Sequence, residues 1–314
     1  MAEFPPITSL HDLVQAALEY GGDGGMPKVA IARSAEGFVL RAGIEAFHRG
    51  VAEPVLIGDL DETRRIADER GLDISPFRQI HMADDAGAVF EAVRLFREGE
   101  AQLIMKGLVP TATLLKAVLN KETGVPRPSR ILSHVSVFES PLDGRLMLMT
   151  DPGVNIAPSM QRKVDILKNA LDVARMLGMK EPKAAILAAT EKINYPAMPA
   201  TLDGDILTKM ARQGAFGDAQ VLGPLSLDLA VSREVAATKR FDSPVAGNAD
   251  ILVTPDIEAG NVLYKSLSTL SGCVMAAVVV GSRVPVVVPS RGDSDASKFH
   301  SIALASVLAK RSAS

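Results

Sequence analysis

Short apolar runs alternate with longer amphipathic ones along most of the chain. "KVAIA" (28–32), "EPVLIG" (53–58), "RQIHMA" (78–83) and "LIMKG" (103–107) are brief, apolar and bounded by turns, which predicts strands. Between them, 35–48, 60–70 and 85–99 read as helices, and in the last Val89, Ala92, Val93 and Phe96 recur at helical spacing. Strand and helix in alternation predict βαβ units, a parallel sheet with helices on its faces.

The rhythm breaks once. "ILSHVSVFES" (131–140) alternates, "PLDG" turns, and "RLMLMT" (145–150) runs back, which predicts an antiparallel hairpin and a change of domain. Alternation then resumes, with helices expected at 159–177, 201–213, 226–239 and 258–271 and strands at 183–189, 219–222, 249–254 and 274–280. Val164, Leu167, Leu171 and Ala174 share one face of the helix from 159. A strand at 284–288 and a helix at 294–310, striped by Phe299, Ile302, Ala303 and Val307, close the chain. The expectation is an α/β protein of two domains with no disordered linker.

Composition narrows the class. At 314 residues with 47% apolar and 23% charged side chains, the chain can bury a core and remain soluble. A net charge of −3 and the lack of Trp argue against nucleic acid and acidic membranes as partners. One cysteine, Cys273, excludes an internal disulfide and a multi-thiolate zinc site; at the head of an apolar strand it is expected to be inert packing. "MAEFPPITSL" lacks the pattern of a signal peptide, and the longest apolar run, "CVMAAVVV", is too short to span a bilayer, so a cytoplasmic enzyme is expected. "GGDGG" (21–25) reads as a turn. The five histidines, His11, His48, His81, His134 and His300, show no metal-ligand spacing.

Chemistry is concentrated where strands end. In open α/β sheets ligands gather there, because the helix that follows offers free amides and partial positive charge. Four such ends are polar: "MKGLVPTATLLK" (105–116), "MTDPGVNIAPS" (149–159), "LVTPDIEAGNVLYK" (252–265) and "PSRGDSDASK" (289–298). They carry Lys106, Asp151, Asn155, Asp256, Asn261, Lys265, Ser290 and Arg291, the acids, bases and amides that a phosphorylated substrate requires. Singly, each is as well explained by a turn or a helix cap. The Arg291 guanidinium fits phosphate oxygens bidentately, Gly292 leaves room for close approach, and Ser290 adds a hydroxyl donor. The alternative is an arginine paired with Asp293 or Asp295 on a solvated surface. Neither G-x-G-x-x-G after the first strand nor G-x-x-x-x-G-K-[ST] occurs.

In order, "LIMKG", "TDPGVNIAPS", "GMKEPKAAILAAT", "GPLSLDLAV", "SPVAGNADILVTPDIEAGNVLYK" and "VPVVVPSRGDS" resemble the phosphate acetyltransferases and phosphate butyryltransferases, with the likeness sustained from about residue 131 onward. The resemblance implies reversible acyl transfer between an acyl phosphate, acetyl foremost, and coenzyme A, giving acyl-CoA and inorganic phosphate. It implies no metal and no cofactor beyond coenzyme A as substrate. It also implies a homodimer of two three-layer α/β domains with a cleft between them, similar to the isocitrate/isopropylmalate dehydrogenases. The final helix would return to the first domain, giving domains 1–135 plus 289–314 and 136–288.

On the same resemblance, Arg291 holds the phosphoryl or oxyanion charge and Ser290 donates to the intermediate. Lys106, Gly107, Asp151, Asn155, Thr254, Asp256, Asn261, Lys265 and Gly292 bind or position substrate. One position departs: where acetyltransferases carry an aspartate six residues after the arginine, this chain has Ser297. Asp293 is the nearby substitute to act on the thiol, with a helix cap or a salt bridge to Arg291 as its plain alternative.

Three other readings stay open. One is a phosphate butyryltransferase with a longer acyl chain. A second is a metal- and NAD-dependent oxidative decarboxylase of the same fold, for which Asp203 and Asp205 form an acidic pair. The third is a non-catalytic protein that binds coenzyme A or acyl phosphate, motivated by Ser297.

Overall fold

A computed structural model describes residues 5–19, 25–125 and 130–313; the glycine-rich turn at 21–25 lies, apart from Gly25, outside them. In chain order the elements begin with α1 (Leu10–Leu18), β1 (Lys28–Ala32), α2 (Gly37–His48), β2 (Glu53–Gly58), α3 (Leu60–Glu69), β3 (Arg78–His81), α4 (Asp85–Arg97), β4 (Leu103–Lys106) and α5 (Thr111–Val118). The hairpin β5 (Ser133–Glu139) and β6 (Leu146–Thr150) follows, then α6 (Met160–Met176), β7 (Lys183–Leu187), α7 (Pro199–Arg212) and β8 (Gln220–Leu225). Next come α8 (Leu227–Val231), α9 (Arg233–Thr238), β9 (Ile251–Val253), α10 (Ile257–Lys265), β10 (Ala276–Val280), β11 (Val286–Val287) and α11 (Asp295–Ala313). Among the described residues no helix is long and apolar enough to cross a membrane.

The chain divides into two compact units, one of Leu10–Arg130 with Val274–Ser314, the other of Ile131–Cys273 with the N-terminal residues through Ser9. These bounds differ from those read in the sequence, 135/136 and 288/289. The later boundary moves to 273/274 because β11 pairs in parallel with β4, Val287 beside Met105, and β10 pairs with β11. Strands 276–280 and 286–287 therefore belong to the sheet of the first hundred residues. Residues 5–9 join the other unit, where the Ile7 amide donates to the Leu177 carbonyl over 2.8 Å.

In the first unit the strand order is β3–β2–β1–β4–β11–β10, parallel except for β10. Its strands are near-continuous apolar runs because helices cover both faces. Right-handed crossovers that progress in opposite directions, β1–α2–β2 and β3–α4–β4, place α2 and α4 on opposite faces. Acidic side chains start the helices: the carboxylates of Glu36, Asp59 and Asp84 accept the first amides of α2, α3 and α4. In α4 the buried face takes Leu95 rather than Phe96. The last helix, α11, packs on β10 and against α1 and α2, and it is buried well beyond one stripe, Leu304, Ala305 and Leu308 included.

In the second unit the order is β5–β6–β9–β7–β8, with β5–β6 antiparallel as the turn predicts and the rest parallel. The helix expected over 226–239 is two. Ser232, at φ −111° and ψ 116°, breaks it in extended conformation, and its hydroxyl accepts the Val235 amide to start the second helix. The helix expected to 271 ends at Lys265 and passes into a wide turn over Ser266–Leu270.

Two glycines of interest differ in kind. A Cβ at Gly107 would overlap the carbonyl of Arg33, whereas one at Gly292 meets nothing within 4 Å. Gly107→Ala is expected to cost about 1–3 kcal/mol through overpacking and backbone shift, and Gly292→Ala to lie within about 0.5 kcal/mol of wild type, both read by urea unfolding.

Candidate active site

Strand order selects the edge on which a site is built. From β1 the chain proceeds to β2 on one side, while β4 lies on the other, so their C-terminal ends flank a topological switch point. Lys106, the last residue of β4, pairs in register with Ala32, the last of β1. Beyond them the chains stay together: the Gly107 amide donates to the Ala32 carbonyl and the Leu108 amide to that of Arg33, each over 2.8 Å. Arg33 sits in the left-handed region at φ 60°, its Nε 2.7 Å from Asp85, and only a glycine fits beside its carbonyl at 107. Because β11 runs parallel beside β4, the chain leaving it delivers Pro289–Asp293 to the same edge.

That segment is a closed turn. The Ser290 amide donates to Asp293 Oδ2 over 2.8 Å, and the Asp293 amide donates to the Ser290 carbonyl over 3.1 Å. Asp293 thus holds the loop, and Asp295 lies 3.7 Å from Arg41. Arg291 is exposed and makes no ion pair among the described residues, so the paired-arginine alternative does not describe it. Ser297 faces inward, 3% exposed, and its hydroxyl accepts the Met275 amide over 3.0 Å and lies 3.0 Å from that of Ser294. This serine ties the first turn of α11 to the chain entering β10.

The edge is positive. Lys106 is held below the ordinary lysine pKa first by burial and then by the charge of Arg291, with Glu36 opposing. Glu36 is itself occupied, accepting the Phe38 and Val39 amides over 3.2 and 3.0 Å. Two cations thus stand at this edge, Lys106 half-buried and Arg291 exposed without an ion pair among the described residues.

In the second unit the predicted residues separate into two kinds. Asp151 is 3% exposed; its Oδ1 accepts the Gly153 and Val154 amides over 3.0 and 2.9 Å, and its Oδ2 accepts from the Asn155 amide and Nδ2 over 3.2 and 2.6 Å. Asn155 Nδ2 also donates to the Leu132 carbonyl over 2.8 Å, and Thr254 Oγ1 donates to the Thr150 carbonyl over 3.1 Å. These three residues fasten the loop after β6. Gly260 lets α10 settle on that loop, since a Cβ there would stand 2.7 Å from the Asp151 carbonyl. Asp256 is the N-cap of α10, its carboxylate accepting the Ala259 amide over 2.9 Å. Asn261 is exposed and donates to the Pro152 carbonyl over 3.3 Å; Lys265, half-buried one turn later, lies 5.1 Å over the Tyr264 ring.

Thr254 and Asp256 also line a cavity of about 910 Å³ within this unit, walled by Leu187, Met198 and Leu263. Its wall includes an ion pair that the sequence reading missed, Lys163 Nζ to Asp203 Oδ2 at 2.5 Å. Asp205 pairs instead with Lys209 at 2.7 Å, so each acid of the "DGD" pair answers a lysine. Lys163 and Lys298, to which the sequence analysis gives no role, are only 7% and 2% exposed. The available signal was position: each adjoins an apolar stripe, Val164 in one case and Phe299 in the other. Burial pushes the Cys273 thiol up, which agrees with its expected inert role. His134 is buried, with its ring 6.2 Å from that of Tyr264.

Comparison with known proteins converges on one family. The family described as "Phosphate acetyl/butaryl transferase" matches residues 85–306. A phosphate butyryltransferase of Clostridium acetobutylicum is 43% identical over 284 residues, 90% of this chain and 94% of that protein. A phosphate acetyltransferase of Thermotoga maritima is 39% identical over 286 residues, 90% and 95% of the two chains. The crystal structure of a branched-chain phosphotransacylase from Enterococcus faecalis V583 superposes with a TM-score of 0.79 at 39% identity, covering 90% of this chain and 99% of that one. With its cationic strand-end edge and these relatives over nearly its whole length, the chain belongs to the phosphate acetyl/butyryl transferase family.

Proposed function

We propose that this chain transfers an acyl group between an acyl phosphate and coenzyme A, and that the Lys106–Arg291 edge holds the phosphoryl group. The observation that carries the assignment is the pair of cations at the ends of β4 and β11, Arg291 exposed without a carboxylate partner and Lys106 sensing its charge. A trianionic leaving group needs this arrangement, because its charge grows as the acyl–oxygen bond breaks.

The steps follow from that placement. The thiolate of coenzyme A adds to the acyl carbonyl, and Ser290 donates to the oxyanion. Phosphate departs with its bonding electrons, held by Arg291 and Lys106. A thiol pKa of about 8.5 leaves a small thiolate fraction near neutrality, and the positive edge enlarges it. Asp293 is assigned to the turn that presents Ser290 and Arg291, since its carboxylate is engaged by the Ser290 amide. Gly107 and Gly292 admit the substrate near the backbone. Asn261 and Lys265, four residues apart on one helical face, are assigned to the amide and phosphate groups of coenzyme A, while Asp151, Asn155, Thr254 and Asp256 position the loops around them.

Two finer readings go with this function. The fold is proposed to be of the isocitrate/isopropylmalate dehydrogenase type, on the strength of the family resemblance. A cytoplasmic homodimer is proposed as well, supported by strongly exposed apolar side chains in the second unit, Ile156, Tyr195, Val262 and Leu270 among them. Sedimentation equilibrium returning a monomer would remove the dimer.

The assay is thioester formation from coenzyme A with acetyl or butyryl phosphate in the presence of EDTA. Turnover is expected with EDTA present, and Arg291→Ala is expected to lower kcat/KM by about 10²–10³. Turnover by neither phosphate while coenzyme A still binds would instead support a non-catalytic binder. NADH production requiring a divalent metal would support the decarboxylase.

A second prediction follows from Lys106. The unfolded chain binds its proton more tightly than the folded one, so stability falls as pH drops from the ordinary lysine range through the lowered folded value. The cost is fully present once the pH lies below the folded value. Lys106→Met is therefore expected to raise the melting temperature at pH 7 while weakening phosphate binding in titration calorimetry. In wild type, phosphate affinity is expected to decline on the alkaline side at a lower pH than in Lys106→Arg.

A further inference from the structure

Lys298 is 2% exposed, at the start of the last helix, and no carboxylate forms an ion pair with it among the described residues. Its ammonium donates to the Asp293 carbonyl and stands 5.1 Å over the Phe38 ring. Burying an ammonium without a counter-charge is costly, and a methionine of similar length would fill the volume at lower cost. A lysine at this position points to what its charge holds.

What it holds is the pivot of the arginine loop. All three polar parts of Asp293 are engaged: its amide donates to the Ser290 carbonyl, its carboxylate accepts the Ser290 amide, and its carbonyl accepts from Lys298. Immediately downstream, Ser297 fastens the same helical turn to Met275, and the Lys298 amide closes onto the Ser294 carbonyl over 3.1 Å. The two residues at the chemistry, Ser290 and Arg291, are thus carried on a turn whose far end is gripped by a buried cation. The ring of Phe38, 41% exposed and also 4.9 Å from the Arg70 guanidinium, supplies the π-face that accommodates the ammonium.

We propose that Lys298 is a positioning residue for the phosphoryl-binding loop, acting through the Asp293 carbonyl to set Ser290 and Arg291. The proposal rests on the function assigned above. Its prediction is selective, because the loop belongs to the phosphoryl end of the reaction: losing the ammonium harms phosphate and acyl phosphate more than coenzyme A.

The test compares wild type, Lys298→Met and Lys298→Arg in the direction acyl-CoA plus phosphate and in its reverse. Lys298→Met is expected to raise the KM for phosphate by about tenfold and to leave that for coenzyme A within about twofold, with partial recovery in Lys298→Arg. Hydrogen exchange at the Ser290 and Asp293 amides is expected to quicken in Lys298→Met, since both are bonds of the turn. An equal rise in both KM values that tracks a lowered melting temperature would reduce Lys298 to general stability and overturn the proposal, as would no change in either. If Lys298→Met does not fold, Phe38→Leu removes the π-face while keeping apolar volume, and a two- to threefold rise in the phosphate KM alone is expected, about the loss of one exposed cation–π contact; no rise overturns the proposal. Wild-type protein that transfers no acyl group would sink the function assignment instead, and phosphate titrated without turnover would then judge Lys298 by the same tenfold criterion.

Discussion

Parallel pairing of β11 with β4 is the interaction on which the candidate site of the first unit depends. Lys106 ends β4 and Arg291 follows β11, and parallel pairing of those strands brings both charges to one edge. The sheet diverts the nearby carboxylates: Glu36 to the first amides of α2, Asp293 to its own turn, Asp85 to Arg33, and Asp295 toward Arg41. Beneath this edge lie apolar strands in which Ala30–Ala32, Ile104, Met105, Val286 and Val287 are fully buried.

The second unit solves the opposite problem. Its loop after β6 is rich in groups that need partners, and it satisfies them internally. Asp151 accepts four hydrogen bonds, Asn155 reaches back to Leu132, and Thr254 closes onto Thr150. Both oxygens of the Asp151 carboxylate are engaged in this way, which fastens the loop. On α10, Asn261 is exposed, and Lys265 is half-buried over the Tyr264 ring.

Residues beside the candidate site carry more of the structure than their types suggest. Ser297 stands where an acid is expected from the family resemblance, yet its hydroxyl is spent on the Met275 amide in the core, and a carboxylate there would have to be accommodated beside Ser294. Lysines 163 and 298 lie on apolar faces of their helices, one closed by Asp203 and the other by a carbonyl and a ring. In both cases a buried charge fixes a helix start against its surroundings.

The sequence by itself determined the α/β alternation, the antiparallel hairpin and the family. These are local properties: the side-chain period decides which face of each element is apolar, and a run of turn residues marks where it stops. Only the tertiary structure decided that the later unit boundary falls at 273/274, that the helix over 226–239 breaks at Ser232, and that Asp151 and Asp293 hold turns while Arg291 stays unpaired. The reason is that a polar group's role depends on its partner. Partners such as Lys106 and Arg291, distant in sequence, meet only because sheet order and register bring their strand ends to one edge.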